Sequence, residues 1–527
     1  MPRTPGPRQT SLSLSLLKAG LTPTLAFKSL PTLQHYPVKD GATKIGDLYI
    51  APVASNEPRW GRYVKAHVAG FPKLQNKTVS AVMLVDAAGR TFAVTFGYGW
   101  GLLAKDVTED RFGLTVTLNA VGAGSIRTTS KKSLDAFAHH THTQAIRAGR
   151  LPQFGVNLEQ DLLQAVTGAP DDPALGIRLV GKDALGIVTR AALPELPALL
   201  AKYVAEFASK KYKQKYPEID YIAEEQNAAV IATLEAELIA KLIAKDFDRL
   251  WLAVPEIIDW SSVAGFRYRE NGTELYDDLH ITEFLRHVKK PGTLTVQRLK
   301  QKRAYAIYSD GTRPAEDWPV FRCIHFELAH KGNNYVLSGG RWFRLKPNFV
   351  KAVDDFVNPL LKSTHPYPKS TATEAEGKYN TRVSKALAGH FLADRDTIQH
   401  GGGQSKIEFC DLFNKSRHMV HVKRYGGSGV LSHLFAQGAT AAELLLFDTD
   451  FRKKVRAKLP ASHKPLVPPG NLRAEDFEVV FGIIGRPAGT KALSDLLPFF
   501  SRVTLRRVAQ RLKGAGFKVS VAWIPNK

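Results

Sequence analysis

The chain has 527 residues, enough for roughly two to four domains that each bury a core. Its 44% apolar and 23% charged residues are ordinary for a globular protein, and its two cysteines exclude a disulfide framework. The charge balance is not ordinary: 73 Lys and Arg against 49 Asp and Glu leave a formal +24, which points to polyanionic partners, nucleic acid above all, or else to a surface that is basic throughout.

Residues 1–207 read as an N-terminal α+β domain. The basic opening is a disordered tip rather than a signal peptide, followed by a strand over Ser11–Lys18. Further strands are expected at Asp47–Val53, Thr78–Val85, Thr91–Phe96 and Leu114–Asn119, with a hairpin turn over Ala87–Arg90. The glycines at 97, 99 and 101 mark a tight turn carrying Tyr98 and Trp100. Aromatics beside glycine can stack bases, but packing into the core is the favoured reading. Ser133–Arg147 reads as a helix bearing His139, His140, His142 and Gln144, a solvated or partly buried cluster rather than a metal site because no acid completes it at helical spacing. Asn157–Gly168 and Leu193–Lys210 read as helices.

Residues 208–360 read as a middle α+β domain with a long helix, Glu224–Leu252, and a β-hairpin, Cys323–Ala329 and Tyr335–Leu345. Its basic runs supply candidate backbone contacts to nucleic acid: Lys211 and Lys213 interleaved with tyrosine, then Arg298, Lys300, Lys302 and Arg303. Glu274, Asp277, Asp278 and His280 form a distant second candidate for a cation. A short helix covers Phe349–Leu360, and Leu361–Ala375, rich in Pro, Ser and Thr, reads as an exposed linker.

Residues 376–527 open with helical spacing over Tyr379–Ala388, then strands over Phe391–Ile398, Ile407–Phe413 and His418–Arg424, then a helix over Val430–Leu446. Asp411 stands at the end of the second strand, and His421 and Lys423 share one face of the third, with Val422 in the core. A basic helix, Ser501–Lys513, adds Arg506, Arg507, Arg511 and Lys513 to the candidate nucleic-acid surface, with Arg424. Strands at Phe477–Ile484 and Lys518–Ile524 complete the order. No apolar run of about 18 residues is present, so no membrane span is expected, and a cytoplasmic location is.

This segment resembles the PD-(D/E)xK nuclease superfamily, particularly its Mrr-like restriction branch. The resemblance implies a C-terminal αβββαβ restriction-endonuclease-like core within an α+β multidomain chain. It implies a catalytic set at Glu376, Asp411 and Lys423, with His421 at the position where this chain departs from the family; Gln437, on the following helix, is placed to orient the site. Asp411 and Glu376 would hold Mg²⁺ or Mn²⁺; Glu408, three residues before Asp411, faces the other way along a strand. The family has Glu, Asp or Gln where His421 stands, so His421→Glu would restore the usual acid. Restriction-type relatives also imply defence against foreign DNA, with DNA the expected partner ahead of RNA. The phrases RTFAVTFGYGWGLL, IEFCDLF, HVKR and LSHLFAQG resemble a sporadically distributed bacterial family without an assigned function. Two readings follow: a metal-dependent nuclease, or a non-catalytic DNA- or RNA-binding protein on a degenerate nuclease-like scaffold.

Overall fold

The structure, a computed structural model, describes residues 9–58, 65–68, 70–104, 107–134, 140–159, 161–255, 258, 263–288, 290–308, 314–362, 364–365, 367–371, 373–393, 397–400, 405–425 and 428–526. The chain is α+β, with several sheets, and divides into two compact units: Met1–Lys132 with His140–Ile219, and Ser133–His139 with Asp220–Lys527.

The first unit is built on a ten-stranded sheet that runs, edge to edge, through Gln34–Asp40, Thr43–Ile50, Ser80–Ala87, Arg90–Gly97, Thr10–Leu16, Leu185–Thr189, Arg178–Gly181, Asp161–Pro170, Val121–Ser133 and His140–Gly149. The hairpin at 87–90 turns through two left-handed residues, Ala88 and Gly89, at φ 49° and 72°. Three expected elements change type. Leu114–Asn119 lies in a helix, Phe112–Ala120, buried on nearly every face, where a short apolar run cannot distinguish strand from helix. The expected helix over 133–147 is a strand, His140–Gly149, in which β-branched Thr141 and Thr143 alternate with histidine; His139 lies outside the described residues. The expected helix over 157–168 is likewise a strand, Asp161–Pro170, with Asp161, Leu163 and Ala165 buried at alternate positions. Leu193–Lys210 does contain its helix, over Leu196–Ala208. Tyr98 and Trp100 are exposed (63% and 67%) rather than packed. The residue that packs is Gly99 between them, where a Cβ would meet the Ala81 carbonyl oxygen at 2.0 Å.

The second unit begins with a five-stranded antiparallel sheet ordered Ile222–Glu224, Arg341–Leu345, Asn333–Ser338, Ile324–His330, Leu250–Leu252. Helix α1 (Ala228–Ala244) starts on the Asn227 side chain, which accepts from the Ala229 and Val230 amides. It is shorter than expected because both ends of the helical reading are strands of this sheet. The hairpin around 331–332 turns through Lys331 and Gly332, both left-handed. Helix α2 (Pro347–Val357) follows the sheet.

A second, mixed sheet of five strands carries the candidate site: β1 (His390–Leu392), β2 (Leu412–Asn414), β3 (His418–Arg424), β4 (Glu478–Gly485) and β5 (Lys518–Pro525), neighbours in that order. The first three are antiparallel, and β3, β4 and β5 are parallel. Helix α3 (Glu376–Ala386) precedes the sheet, α4 (Ser428–Phe447) crosses from β3 to β4, and α5 (Phe499–Gly514) crosses from β4 to β5. The expected strands over 391–398 and 407–413 are each divided, because Thr397–His400 and Ser405–Glu408 pair with one another as a separate hairpin. By length and composition Val430–Phe447 of α4 is apolar enough to cross a membrane, against expectation. Its Leu431, Leu434, Phe435, Ala439, Ala442 and Leu445 are buried, as in a core helix.

Among the described residues of the expected linker, Leu361–Ala375, several are exposed, but the segment is also anchored. Leu361 bridges to Val521 in β5 and Ser370 to Asn526 just past its end, and Tyr367 and Ser370 are buried. The elements on either side of it also share contacts. The Phe499 amide donates to Glu327 at 2.7 Å, the Ser494 amide to the Asn358 side chain at 3.0 Å, and Arg502 pairs with Asp354. Proline and serine there shape a segment laid along a sheet edge, not a tether.

Candidate functional site

Strand β2 pairs with β3 only at Leu412–Val420 and Phe413–Met419. Beyond it the backbone turns away, and the edge of β3 needs other acceptors. Asp411 supplies the first, its carboxylate accepting from the Val422 amide at 2.6 Å while its own amide donates to the Val420 carbonyl at 2.9 Å. Glu376, at the start of α3, supplies the next: Oε1 accepts from the Arg424 amide at 3.0 Å. Its Oε2 lies 2.9 Å from Lys423 Nζ. Amides two residues apart on a strand are roughly 6.6 Å apart, so two carboxylates and a lysine gather at the last three residues of β3. The side chains of Lys423 and Glu376 are about one-third exposed, so solvent and ligands reach the pair.

Arg424 anchors the acid side of this cluster. Its guanidinium donates to the Glu374 carbonyl at 2.8 Å, to Ser370 Oγ at 2.8 Å and to the Thr371 carbonyl at 2.7 Å. Glu374 in turn accepts from Arg382 at 2.8 Å, and that guanidinium draws its carboxyl down to about 2. These bonds hold the entry to α3, and so Glu376, against β3. Neither Glu374 nor Arg382 was legible as part of a site: they lie eight residues apart, across a helix start, and only the fold closes the distance. Arg424, expected on nucleic acid, is spent on this framework.

His421 is not with Lys423. It is 4% exposed and faces α4 and β4, with Gly438 and Phe481 as neighbours, and its Nε2 has no hydrogen-bond partner among the described residues. Burial alone lowers its pKa from 6.5 to about 4, so the ring is neutral. A glutamate there would enter a dry pocket beside Phe481 rather than restore a metal ligand. A folded-state pKa below the unfolded value means the unfolded chain takes up the proton first as pH falls. The stability it supports is therefore complete above pH 6.5 and is lost as pH drops towards 4, about 3 kcal/mol in all at ~1.4 kcal/mol per pH unit. Urea midpoints of wild type and His421→Leu at pH 7.5 and 4 should show a shallower acid loss in the variant; parallel losses would refute the assignment. Gln437 is half-buried on α4, and Glu408 stands on the separate hairpin opposite Thr397.

Most of the expected nucleic-acid contacts already have partners within the chain. Lys211 pairs with Glu206 at 2.9 Å, Lys300 with Glu235 at 3.1 Å, Arg511 with Glu443 at 2.6 Å, and Arg303 with Asp317. Lys213 and Lys513 lie over the rings of Tyr212 and Phe356, and Arg298 donates to the Thr293 carbonyl at 2.8 Å. Lys302 and Arg507 are exposed. Arg506 is a correction: it is 8% exposed and lies over Phe349, because on α5 it follows the apolar face rather than the charged one.

The other polar clusters bond locally. His142 meets Ser130 at 2.8 Å, His140 meets Gln164 at 3.1 Å, and His280 and His287 pair with Asp277 and Glu274 at 3.5 and 3.2 Å. Among the described residues no group of three or more His, Cys, Asp or Glu could hold a metal ion. A cation at the β3 cluster would rest on two carboxylates, with water and substrate oxygens completing it, a donor set that suits Mg²⁺.

Fold and cluster together define a mixed α+β protein with two carboxylates and a lysine at one end of a sheet strand. The chain belongs to a family of unknown function, DUF6119, whose model matches residues 12–525. Neither the curated proteins nor the solved structures gave a match.

Proposed function

We propose that this protein is a metal-dependent nuclease, with Asp411 and Glu376 as the metal ligands and Lys423 beside the scissile phosphate. The observation that carries the reading is the 2.9 Å pair between Lys423 and Glu376, with Asp411 held on the neighbouring amide of the same strand. The order of a helix, three antiparallel strands, a crossover helix and a parallel strand supports the reading, with the 397–408 hairpin and the α5–β5 unit as additions to it. Bound Mg²⁺ would polarise the phosphate and supply hydroxide near neutral pH. Glu376 keeps the Lys423 ammonium in place to meet charge developing on the phosphate oxygens. Arg424 fixes Glu376 through the bonds described above. Defence against foreign DNA is the setting that the restriction-type resemblance suggests.

A second reading has its own support. Both carboxylates already cap backbone amides, and His421 occupies a dry core where the superfamily has an acid or amide. A scaffold that binds DNA or RNA without cutting it would look the same. Incubation of supercoiled plasmid with Mg²⁺ or Mn²⁺ separates the two: loss of the supercoiled form is expected, and persistence alongside duplex binding leaves the scaffold reading. Binding in either case should weaken steeply between low and physiological salt, through counterion release from a chain of charge +24. A flat salt response would remove both.

A further inference from the structure

At the carboxyl ends of β3, β4 and β5 the second unit opens a cleft of about 940 Å³, closed on its far side by the segment from the end of α1 to Trp251. The crevice outside the carboxyl ends of parallel strands is where open sheets bind ligands, and this volume suits one small molecule rather than a duplex. Five cationic and three acidic side chains line it. Arg424 is spent on the framework, and Asp246 is held by Lys241 at 2.6 Å. Arg486 and Lys491 are exposed on the loop that leaves β4.

The floor is aromatic and rigid. Trp523 lies against Gly485 so closely that a Cβ there would be 2.5 Å from the indole ring. Its Nε1 donates to the Arg486 carbonyl at 2.9 Å, which ties the ring to the cationic loop. Tyr425 stands beside it, with ring centroids 6.3 Å apart. Asn526, also in the wall, has a buried Oδ1 without a hydrogen-bond partner among the described residues. A flat apolar platform joined to two cations, with a spare acceptor for an N–H donor, is complementary to an aromatic ring bearing a phosphate.

We propose that this cleft binds a nucleotide unit, the base stacked on Trp523 and the phosphate held by Arg486 and Lys491. The site is separate from the Glu376–Lys423 cluster, which adjoins it through Arg424, and it stands whether or not that cluster cuts. A free nucleotide and the end of a strand offer the same chemistry.

Calorimetric titration of the full chain with ATP, AMP and a 5′-phosphorylated oligothymidylate at low salt tests it. Binding is expected, with ATP the tighter if the source is free nucleotide and the oligonucleotide the tighter if it is a strand end. Arg486→Glu with Lys491→Glu changes only exposed side chains and should weaken binding about tenfold or more. Trp523→Leu should weaken it about tenfold by removing the stack, with melting measured alongside to show that the variant is folded. No binding of any of the three ligands at about 1 mM, or equal binding by the charge-reversed variant, overturns the proposal.

Discussion

Asp411→Asn is expected to abolish divalent-dependent cleavage while leaving the melting temperature close to that of wild type. The two consequences separate because Asp411 does two things. Its carboxylate accepts the Val422 amide at 2.6 Å, and an asparagine carbonyl oxygen can accept the same bond. The negative charge that would hold Mg²⁺ is lost, and an amide is a poor substitute on a hard cation. Asp411→Ala removes both, so it should add a stability cost of ~1–3 kcal/mol for the abandoned amide. Lys423→Ala should lower cleavage by ~10²–10³-fold with metal binding nearly intact, because the ammonium acts on the phosphate rather than on the cation. Plasmid cleavage, metal titration and thermal melts on the three variants give the comparison. If Asp411→Asn cuts as wild type does, the carboxylate is only an edge cap and the catalytic reading falls.

The largest expected loss of stability is at Arg502. It is 2% exposed, pairs with Asp354, and stands near Glu327, which is buried and accepts the Phe499 amide at the start of α5. Burial raises the Glu327 pKa and lowers that of Arg502, with the opposite charges pulling each back. Arg502→Ala would take from Asp354 its paired cation and from the buried Glu327 one of its two nearby cations, leaving Arg249 as the other. Breaking such a buried arrangement costs ~3–5 kcal/mol. Urea denaturation should show the midpoint fall with an unchanged slope. Arg502→Lys should recover only part of it, since an ammonium cannot reproduce the guanidinium's planar contacts over Phe499. A loss below ~1 kcal/mol would place the group in solvent-like surroundings and refute the argument.

Legibility followed the range of the forces involved. Hairpins whose turns need left-handed residues were readable, at 88–89 and 331–332, because the requirement is local. Strand β3 was readable to the residue, and β4 and β5 nearly so, because continuous β-branched and apolar runs suit strands buried on both faces. The stretches at 133–147 and 157–168 were misread because short polar-apolar mixtures satisfy both periods, and pairing partners far along the chain decided between them. At the site, Glu376, Asp411 and Lys423 were named from spacing and resemblance. The direction of His421 was not readable, since alternation places it on the face of Lys423 but not how far each reaches. Lysine's long stem carries its charge past the strand end to Glu376, while imidazole stays where its Cβ points. Charge runs also misled: Arg506 belongs to a basic sequence yet lies on an apolar face, and Arg424 turns inward to carbonyls.

Helix α4 has a consequence for how the protein is made. It leaves the ribosome before β4, α5 and β5, the elements that pack beside it and close its sheet, have been synthesised. Until then a long apolar helix has no partner on one side, and β3 has no parallel neighbour. The nascent chain therefore carries, for the time needed to add some eighty residues at ~5–20 per second, an uncovered apolar surface prone to association. Slow codons placed after α4 would lengthen that exposure, and the yield of soluble protein should fall with it, although the finished molecule would be unchanged.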